Sequence, residues 1–196
     1  MNIDFTQEQL LAFYRSTSND GRKAIKEALG EKFSGTIPVT ERVKTYDDAV
    51  KELGEDHPFV VAANSAVWRY PEDYNQDIVA YLKLRVVVAA LNDGWNPEFT
   101  EDERRWFPWY RLYTKEEIDN LSEEDKEQVL LWGGCANLGS PCGLACAASG
   151  YAWSGSNAAF GSRLALKSKE LADYAGKQFI ELFAPFCFRP KPAENK

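Results

Sequence analysis

Residues 71–92 constrain the fold most strongly, because their pattern is that of one long helix whose second half is apolar on nearly all sides. Pro71 suits the first turn of a helix, and the Asn-Asp-Gly sequence that ends at Gly94 is a typical stop signal. Between residues 84 and 91 apolar side chains occur nearly all round, so other elements must surround this part of the helix. We therefore expect the end of this helix to be the most buried part of the N-terminal half.

Capping patterns predict three shorter helices before this one. A side-chain oxygen at the residue before a helix can satisfy one of the free N–H groups of its first turn. The starts are marked by Thr6 with Gln9, by Asn19 with Asp20, and by Thr45 with Asp48. Residues 31–44 are expected to form a connector with at most a brief strand, and residues 57–68 fit a helix or a strand.

The C-terminal part combines a short strand with an amphipathic helix. Residues 162–167 alternate, with Leu164 and Leu166 on one side, as in a half-buried strand. Ser168 is a suitable N-cap, and Pro185 is expected to end the following helix. The apolar face of this helix consists of Leu171, Ala175, Phe179, Leu182, Phe183 and Phe186. We expect one core to be shared by Leu164, Leu166, Phe179 and Phe183.

These patterns predict an α+β fold in which helices and strands are segregated along the chain. The helical region is expected to extend to residue 94. The region 95–196 is expected to hold a small mixed β-sheet covered by the C-terminal helix, with short helices after Thr114 and Ser122 and a strand at 129–132. The regions 1–94 and 95–196 are either separate units or parts of one compact domain.

The charge balance limits the kinds of partner. The chain of 196 residues carries 30 acidic and 23 basic side chains, a net charge of −7. A protein that binds nucleic acid needs a basic stripe for the phosphate backbone, so we expect no nucleic-acid partner. The sequence has no basic and apolar leader and no run of about 18 apolar residues. We expect a soluble, acidic protein that is made in a cytoplasm, without a membrane partner.

Patterns for metal binding and catalysis are not found. The four cysteines, Cys135, Cys142, Cys146 and Cys187, lack the paired spacing of zinc sites, and without a leader we expect them to be reduced. The single histidine, His57, has no catalytic pattern beside it. Neither a nucleophile elbow nor a phosphate-binding loop occurs. We therefore expect no metal, no cofactor and no enzymatic activity.

Candidate binding residues fall on two segments. The loop 150–161 is rich in glycine, serine and asparagine, which adopt unusual backbone angles at little cost. Its candidates are Tyr151, Trp153, Ser156 and Asn157, with Arg163 just beyond the loop. The alternative segment is the aromatic span 106–113, with Trp106, Trp109, Tyr110 and Tyr113. Aromatic side chains suit binding surfaces, although core packing is their commoner use.

Five stretches of the chain, taken in order, resemble an uncharacterised protein family of gut Bacteroidales and of their phages and prophages. The first four are FTQEQLLAFYRSTSNDGRKAIKEALGEKF, RVKTYDDAVKELG, YLKLRVVVAALNDGWNP and RRWFPWYRLY, and the most specific is GSRLALKSKELADYAGKQFIELF. In this family the segment before Gly-Ser-Arg-Leu varies and is often rich in tyrosine, threonine and serine. The resemblance implies a phage or prophage setting and no particular activity.

A second resemblance concerns the fold. Trp-Gly-Gly at 132–134, followed by GSRLAL from Gly161, is similar to the closing strands of C-type-lectin-like and formylglycine-generating-enzyme-like domains. In phage receptor-binding proteins of that fold, the loop before the terminal strand is the diversified ligand surface. The chain departs from the pattern where Ser162 replaces an aromatic residue and where a long helix follows. The resemblance implies a C-type-lectin-like C-terminal region.

Two functions are compatible with these features. The first is a non-enzymatic recognition or virion-associated protein of a phage or prophage, which binds a protein or carbohydrate through the loop 150–161. The alternative is an intracellular phage accessory protein, which acts on a host protein or small molecule through residues 106–113. Exposure of the loop favours the first function, and an open aromatic cleft favours the second.

Overall fold

The structure of the protein is a computed structural model that describes residues 5–29, 38–69, 76–98, 100–132, 142–152 and 163–188. Within these ranges the helices are α1 (Gln7–Ser16), α2 (Asn19–Leu29), α3 (Val39–Arg42), α4 (Tyr46–Leu53), α5 (Pro58–Arg69), α6 (Gln76–Asn92), α7 (Lys115–Asp119), α8 (Glu123–Lys126), α9 (Lys169–Gln178) and α10 (Ile180–Cys187). The strands are β1 (Arg105–Tyr113), β2 (Leu130–Trp132) and β3 (Cys142–Ala152). The predicted α+β fold is confirmed.

Helix α6 lies at the centre of the main core, as its apolar sequence requires. Its second half is buried at Leu84, Val86, Val87 and Leu91, because α4, α5 and α10 pack around it. The predicted start of this helix at Pro71 lies outside the described residues. None of the helices in the described part of the chain has the length and apolar character needed to cross a membrane.

The predicted caps are present at α1 and α4, whereas at α2, which begins at Asn19, it is the Ser18 hydroxyl that accepts from the Gly21 backbone N–H. Thr6 and Gln9 form both hydrogen bonds of a capping box at α1, and Thr45 and Asp48 do the same at α4. Thr114 and Ser122 cap α7 and α8. Residues 58–69, which fitted either a helix or a strand, form α5, whose buried positions recur every three residues and face the core. The brief strand considered for residues 31–44 is not found at 38–44, where α3 forms instead.

The strands form an antiparallel sheet in the order β1-β3-β2. The register places Trp106 opposite Tyr151, and a bulge interrupts β1 between Trp109 and Tyr110. The strand predicted at 129–132 is confirmed as β2, whereas the sequence analysis did not predict β1 and β3. The sheet was expected to be mixed, and all pairings among the described strands are antiparallel.

Small residues let helix α9 approach the sheet closely. A Cβ atom at Gly176 would lie 2.6 Å from the Cys146 sulfur and 2.8 Å from the Cβ of Pro108. These distances are shorter than a carbon atom tolerates, so the packing of α9 on β1 and β3 depends on glycine at this position. The Tyr110 hydroxyl also donates a hydrogen bond to the Gly176 carbonyl at 2.8 Å.

The C-terminal segment differs from the predicted strand and single helix. Residues 163–168 form one β-bridge, between Leu166 and Trp106, and Leu164, Ala165 and Leu166 are all buried instead of alternating. The helix breaks at Phe179 (φ −113°, ψ 26°), because α9 packs on the sheet while α10 packs on α6. Pro185 lies inside α10 and does not end it.

The core expected from the C-terminal sequence is confirmed. Leu164, Leu166, Phe179 and Phe183 are buried and belong to one cluster with the apolar side chains of α6. This cluster includes side chains from both sides of residue 94, so the regions predicted as 1–94 and 95–196 share one core.

A buried group of charged side chains joins α2, α3 and α4. The Glu52 carboxylate accepts a hydrogen bond from Arg22 at 2.7 Å and a second from Arg42. Arg22 and Glu52 are only 4% and 7% exposed, and the Arg42 side chain is 8% exposed. The Tyr14 ring of α1 lies 5.8 Å from both guanidinium groups, within cation–π range. This charged group therefore connects α1 and α2 to the rest of the fold.

The C-terminal end of α6 is tied to the segment that precedes α9. The side-chain nitrogen of Asn92 donates to the Ala165 carbonyl (2.8 Å), and its oxygen accepts from the Lys167 backbone N–H (3.1 Å). The Lys167 ammonium donates to the Asn92 carbonyl at 2.9 Å. Asp93 adopts a left-handed backbone angle (φ 50°) and pairs with Lys26. The end of α6 is thus fixed on two sides.

Candidate functional site

The structure brings together one residue from each of the two predicted binding segments. Tyr151 is near the end of β3 and Trp106 is opposite it on β1, with ring centroids 4.9 Å apart. The Arg104 guanidinium lies 5.1 Å from the centre of the Tyr151 ring. Tyr151 is 48% exposed. We call Arg104, Trp106 and Tyr151 the aromatic surface.

A groove of about 410 Å³ begins at Trp106 and continues along the N-terminal end of α9. Its walls contain three basic and three acidic side chains, so their formal charges cancel. The groove is lined by Trp95, Asp102, Glu103, Arg104, Trp106, Lys167, Ser168, Lys169 and Glu170. Hydrogen-bond donors, hydrogen-bond acceptors and two tryptophan rings therefore line the same depression.

Backbone hydrogen bonds hold the groove in place. Trp106 and Leu166 exchange two of them, each 2.9 Å long, and these fix β1 against the segment before α9. Ser168 caps α9 by accepting from the Leu171 N–H. Hydrogen bonds from the Glu170 backbone N–H and the Ser168 side chain lower the pKa of Glu170, so this exposed carboxylate is ionised. Burial lowers the pKa of Lys167, although Asp93 acts in the opposite direction.

The other aromatic residues of the span 106–113 do not form one surface with Trp106. Trp109 is half exposed on the opposite side of β1, where its indole nitrogen would lie 2.3 Å from a Cβ at Gly150. The Tyr110 ring packs 5.2 Å from Phe183, and burial, followed by the charges of two cysteines, raises the pKa of its hydroxyl.

Tyr110 therefore belongs to the packing between the sheet, α9 and α10. Tyr113 lies at the far end of β1, 4.7 Å from the Arg111 guanidinium. Of the aromatic span predicted as an alternative site, only Trp106 contributes to the aromatic surface.

The remaining predicted site residues are distributed differently. Gly150, Tyr151 and Ala152 belong to β3, so the first part of the predicted loop is a strand. Trp153, Ser156 and Asn157 lie outside the described residues. Arg163 is exposed and lines another cavity, together with His57 and Trp95. The sequence analysis did not choose Trp95 and Arg104 as site residues. The clustering of tryptophans could have indicated Trp95, and the Arg-Arg pair before Trp106 could have indicated Arg104.

The expectation of reduced thiols holds for two of the three described cysteines, and Cys135 lies outside the described residues. Cys142 is disulfide-bonded, so that expectation is wrong for this residue. Cys146 and Cys187 are free thiols. Burial raises the pKa of both, to about 11 for Cys187, which keeps them protonated and unreactive near neutral pH. Within the described ranges, no group of three or more histidine, cysteine or acidic side chains is arranged to hold a metal ion.

Comparisons of the chain with protein-family models, with curated proteins and with solved structures find no match. The resemblances to the Bacteroidales and phage family and to C-type-lectin-like domains therefore stay predictions from the sequence.

Proposed function

We propose that the protein is a non-enzymatic recognition protein that binds a carbohydrate through the aromatic surface and its adjoining groove. The observation that carries this proposal is the pairing of Trp106 with the half-exposed Tyr151, at 4.9 Å, beside the groove. Sugar rings have apolar faces that stack on aromatic side chains and hydroxyl groups that both donate and accept hydrogen bonds. A surface with both kinds of group on adjoining walls suits such a ligand.

The charge of the groove favours a neutral ligand over a polyanion. Three basic side chains face three acidic ones, so no net positive charge is available to neutralise phosphate groups. The acidic balance of the whole chain acts in the same direction. A neutral or weakly charged oligosaccharide is therefore the ligand class that this surface fits.

The state of Glu170 suits this carboxylate to bind a sugar and not to protonate one. Glycoside hydrolysis requires one carboxylic acid whose pKa is raised, so that it can protonate the leaving oxygen. Glu170 has the opposite property, because hydrogen bonds at the start of α9 lower its pKa. It would accept hydrogen bonds from sugar hydroxyls as a carboxylate.

A glycan array followed by titration calorimetry tests the proposal. We expect the protein to bind at least one oligosaccharide class, and Tyr151→Ala to weaken binding by about 5- to 150-fold, the value of one stacked ring. Tyr151→Phe keeps the ring and is expected to bind like the original protein. Leu131→Ala, at an exposed apolar position of β2, is the matched control.

Two results would contradict the proposal. One is the lack of binding to any glycan on an array that includes neutral and acidic oligosaccharides. The other is full binding by Tyr151→Ala while its far-ultraviolet circular dichroism is unchanged, since the ligand would then bind elsewhere.

The biological setting that we propose is a phage or prophage of gut Bacteroidales, and it is supported by the sequence resemblance alone. A recognition protein of this kind would be part of the virion, whereas an accessory protein would stay in the cytoplasm of the host cell. Mass spectrometry of purified virions distinguishes these locations.

A further inference from the structure

A second cavity, of about 350 Å³, lies beside the C-terminal end of α6. It is enclosed by α6, by the turn that follows it, by the link between α4 and α5, and by residues 163–165. The lining residues are Leu53, His57, Phe59, Val88, Ala89, Asn92, Gly94, Trp95, Asn96, Pro97, Arg163 and Ala165. Its volume is within the range of pockets that hold small organic molecules.

One side of this cavity is apolar and firmly held. Val88 and Ala165 are 3% and 2% exposed and belong to the protein core. The Phe59 ring is fixed between the His57 ring, at 5.1 Å, and the Arg85 guanidinium, at 4.1 Å. An apolar ligand body placed on these side chains would be removed from water without rearrangement of the core.

The polar side of the cavity offers donors. Among the described residues that line it, only Arg163 has a permanent charge, and this residue is exposed. The His57 Nδ1 accepts the Phe59 backbone N–H at 3.2 Å, so in the neutral ring the proton is on Nε2. Burial lowers the pKa of His57, although Asp56 acts against it, so the neutral ring is favoured near pH 7 and its Nε2–H can donate one hydrogen bond to a ligand.

The acid at the end of α6, next to this cavity, is already neutralised. Asp93, the acid that adjoins Asn92, pairs with Lys26 and lies 3.9 Å from Arg42. Burial alone would raise the pKa of Asp93, but the hydrogen bond and charge of Lys26, together with Arg42, hold it below its usual value. The Asn92 carbonyl, at the negative end of α6, accepts from the Lys167 ammonium and from the Trp95 N–H.

We infer that this cavity binds a small organic anion, a carboxylate with an apolar body. The carboxylate lies at Arg163, in the only positively charged part of the described lining, and the body lies against Phe59 and Val88. A cation would meet Arg163 without a compensating acid in this lining. A purely apolar molecule would leave the guanidinium unused. This site is distinct from the aromatic surface and its groove, although Trp95 lines both the cavity and the groove.

Binding of phenylacetate and of its neutral analogue phenylacetamide tests the inference. The signal observed by NMR during the titration is that of the carbon-bound ring protons of His57, the only histidine of the chain. Calorimetry checks the affinity independently. We expect phenylacetate to bind saturably and to shift this resonance. Phenylacetamide, and phenylacetate on Arg163→Gln, should bind about tenfold more weakly or worse, the value of one hydrogen bond to a charged group. Arg163→Lys keeps the charge and should bind phenylacetate more tightly than Arg163→Gln.

The outcomes separate this inference from the carbohydrate proposal. Tyr151→Ala is expected to bind phenylacetate like the original protein. Equal affinity for the acid and the amide, an unchanged affinity in Arg163→Gln, or no saturable binding of phenylacetate, hexanoate and indole acetate at millimolar concentrations would each overturn the inference. Loss of phenylacetate binding in Tyr151→Ala would show that the two sites are one.

Discussion

Replacing Glu52 by glutamine tests whether the buried charged group stabilises the fold. Glutamine keeps the size of the side chain and one acceptor oxygen, but it removes the negative charge between Arg22 and Arg42. All three side chains are at most 8% exposed, so water compensates little for the lost charge. Removing one partner of a buried ion pair costs about 3–5 kcal/mol, because the remaining charge stays in a poorly solvated place.

The size of the effect makes it easy to measure. Domains of this kind have about 5–15 kcal/mol of stability, so the loss is a large part of the total. With a urea dependence of about 2 kcal/mol per molar, the unfolding midpoint should decrease by about 1.5–2.5 M. Tryptophan fluorescence and far-ultraviolet circular dichroism, recorded during urea titration, report the midpoint from both regions of the chain.

A surface ion pair provides the control. Lys115 and Asp119 are 2.6 Å apart on α7 and are 58% and 60% exposed, so Lys115→Gln should cost less than about 0.5 kcal/mol. Added salt should reduce this small effect and leave that of Glu52→Gln unchanged, since a buried pair is poorly screened. A loss below about 1 kcal/mol in Glu52→Gln would refute the reasoning, because the guanidinium groups would then not need the carboxylate.

Two further predictions concern His57 and Gly176. The single histidine should titrate by NMR with a pKa below 6.5, because burial disfavours its charged form. Its contribution to the stability of the fold is then complete above pH 6.5 and decreases as the pH falls toward the folded-state pKa. A measured pKa at or above 6.5 would contradict the burial of the ring. Gly176→Ala should destabilise the protein by about 1–3 kcal/mol despite the better helix propensity of alanine, because the new Cβ would meet Cys146 and Pro108. Lys177→Ala, at the next and exposed position of α9, is the control. Equal midpoints for the two variants in thermal unfolding would show that the packing of α9 does not depend on its close approach to β1 and β3.

The features that were predictable from sequence are those decided within a few residues. Thr6 and Gln9, or Thr45 and Asp48, satisfy helix ends through hydrogen bonds that span three residues, so the caps were found correctly. Helix α6 was recognised because its own composition requires burial.

The strands β1 and β3 were missed because their stability comes from pairing across the sheet. Strand β3 is made largely of glycine, alanine and serine, which have little preference for strands, and β1 contains Pro108. The break at Phe179 was missed for a related reason, since α9 and α10 continue one apolar pattern and only their different partners separate them.

The candidate site was identified in parts. Trp106 and Tyr151 were both chosen for their aromatic rings, but as alternative sites. They are 45 residues apart in sequence, and only the pairing of β1 with β3 brings them together. The cavity at Arg163 was not predictable, since its walls come from α6 and from three other segments that are separate in sequence.

The distance along the chain between α6 and α10 has a consequence for synthesis. Helix α6 ends at Asn92 and α10 begins at Ile180, and each covers apolar surface of the other. At a translation rate of about 5–20 residues per second, the apolar side of α6 emerges roughly 4–18 s before the helix that covers it. During that interval the nascent chain exposes the apolar surface of α6 to its surroundings. This architecture therefore implies that chaperones bind ribosome-bound chains that lack α10 and are released once α10 has emerged.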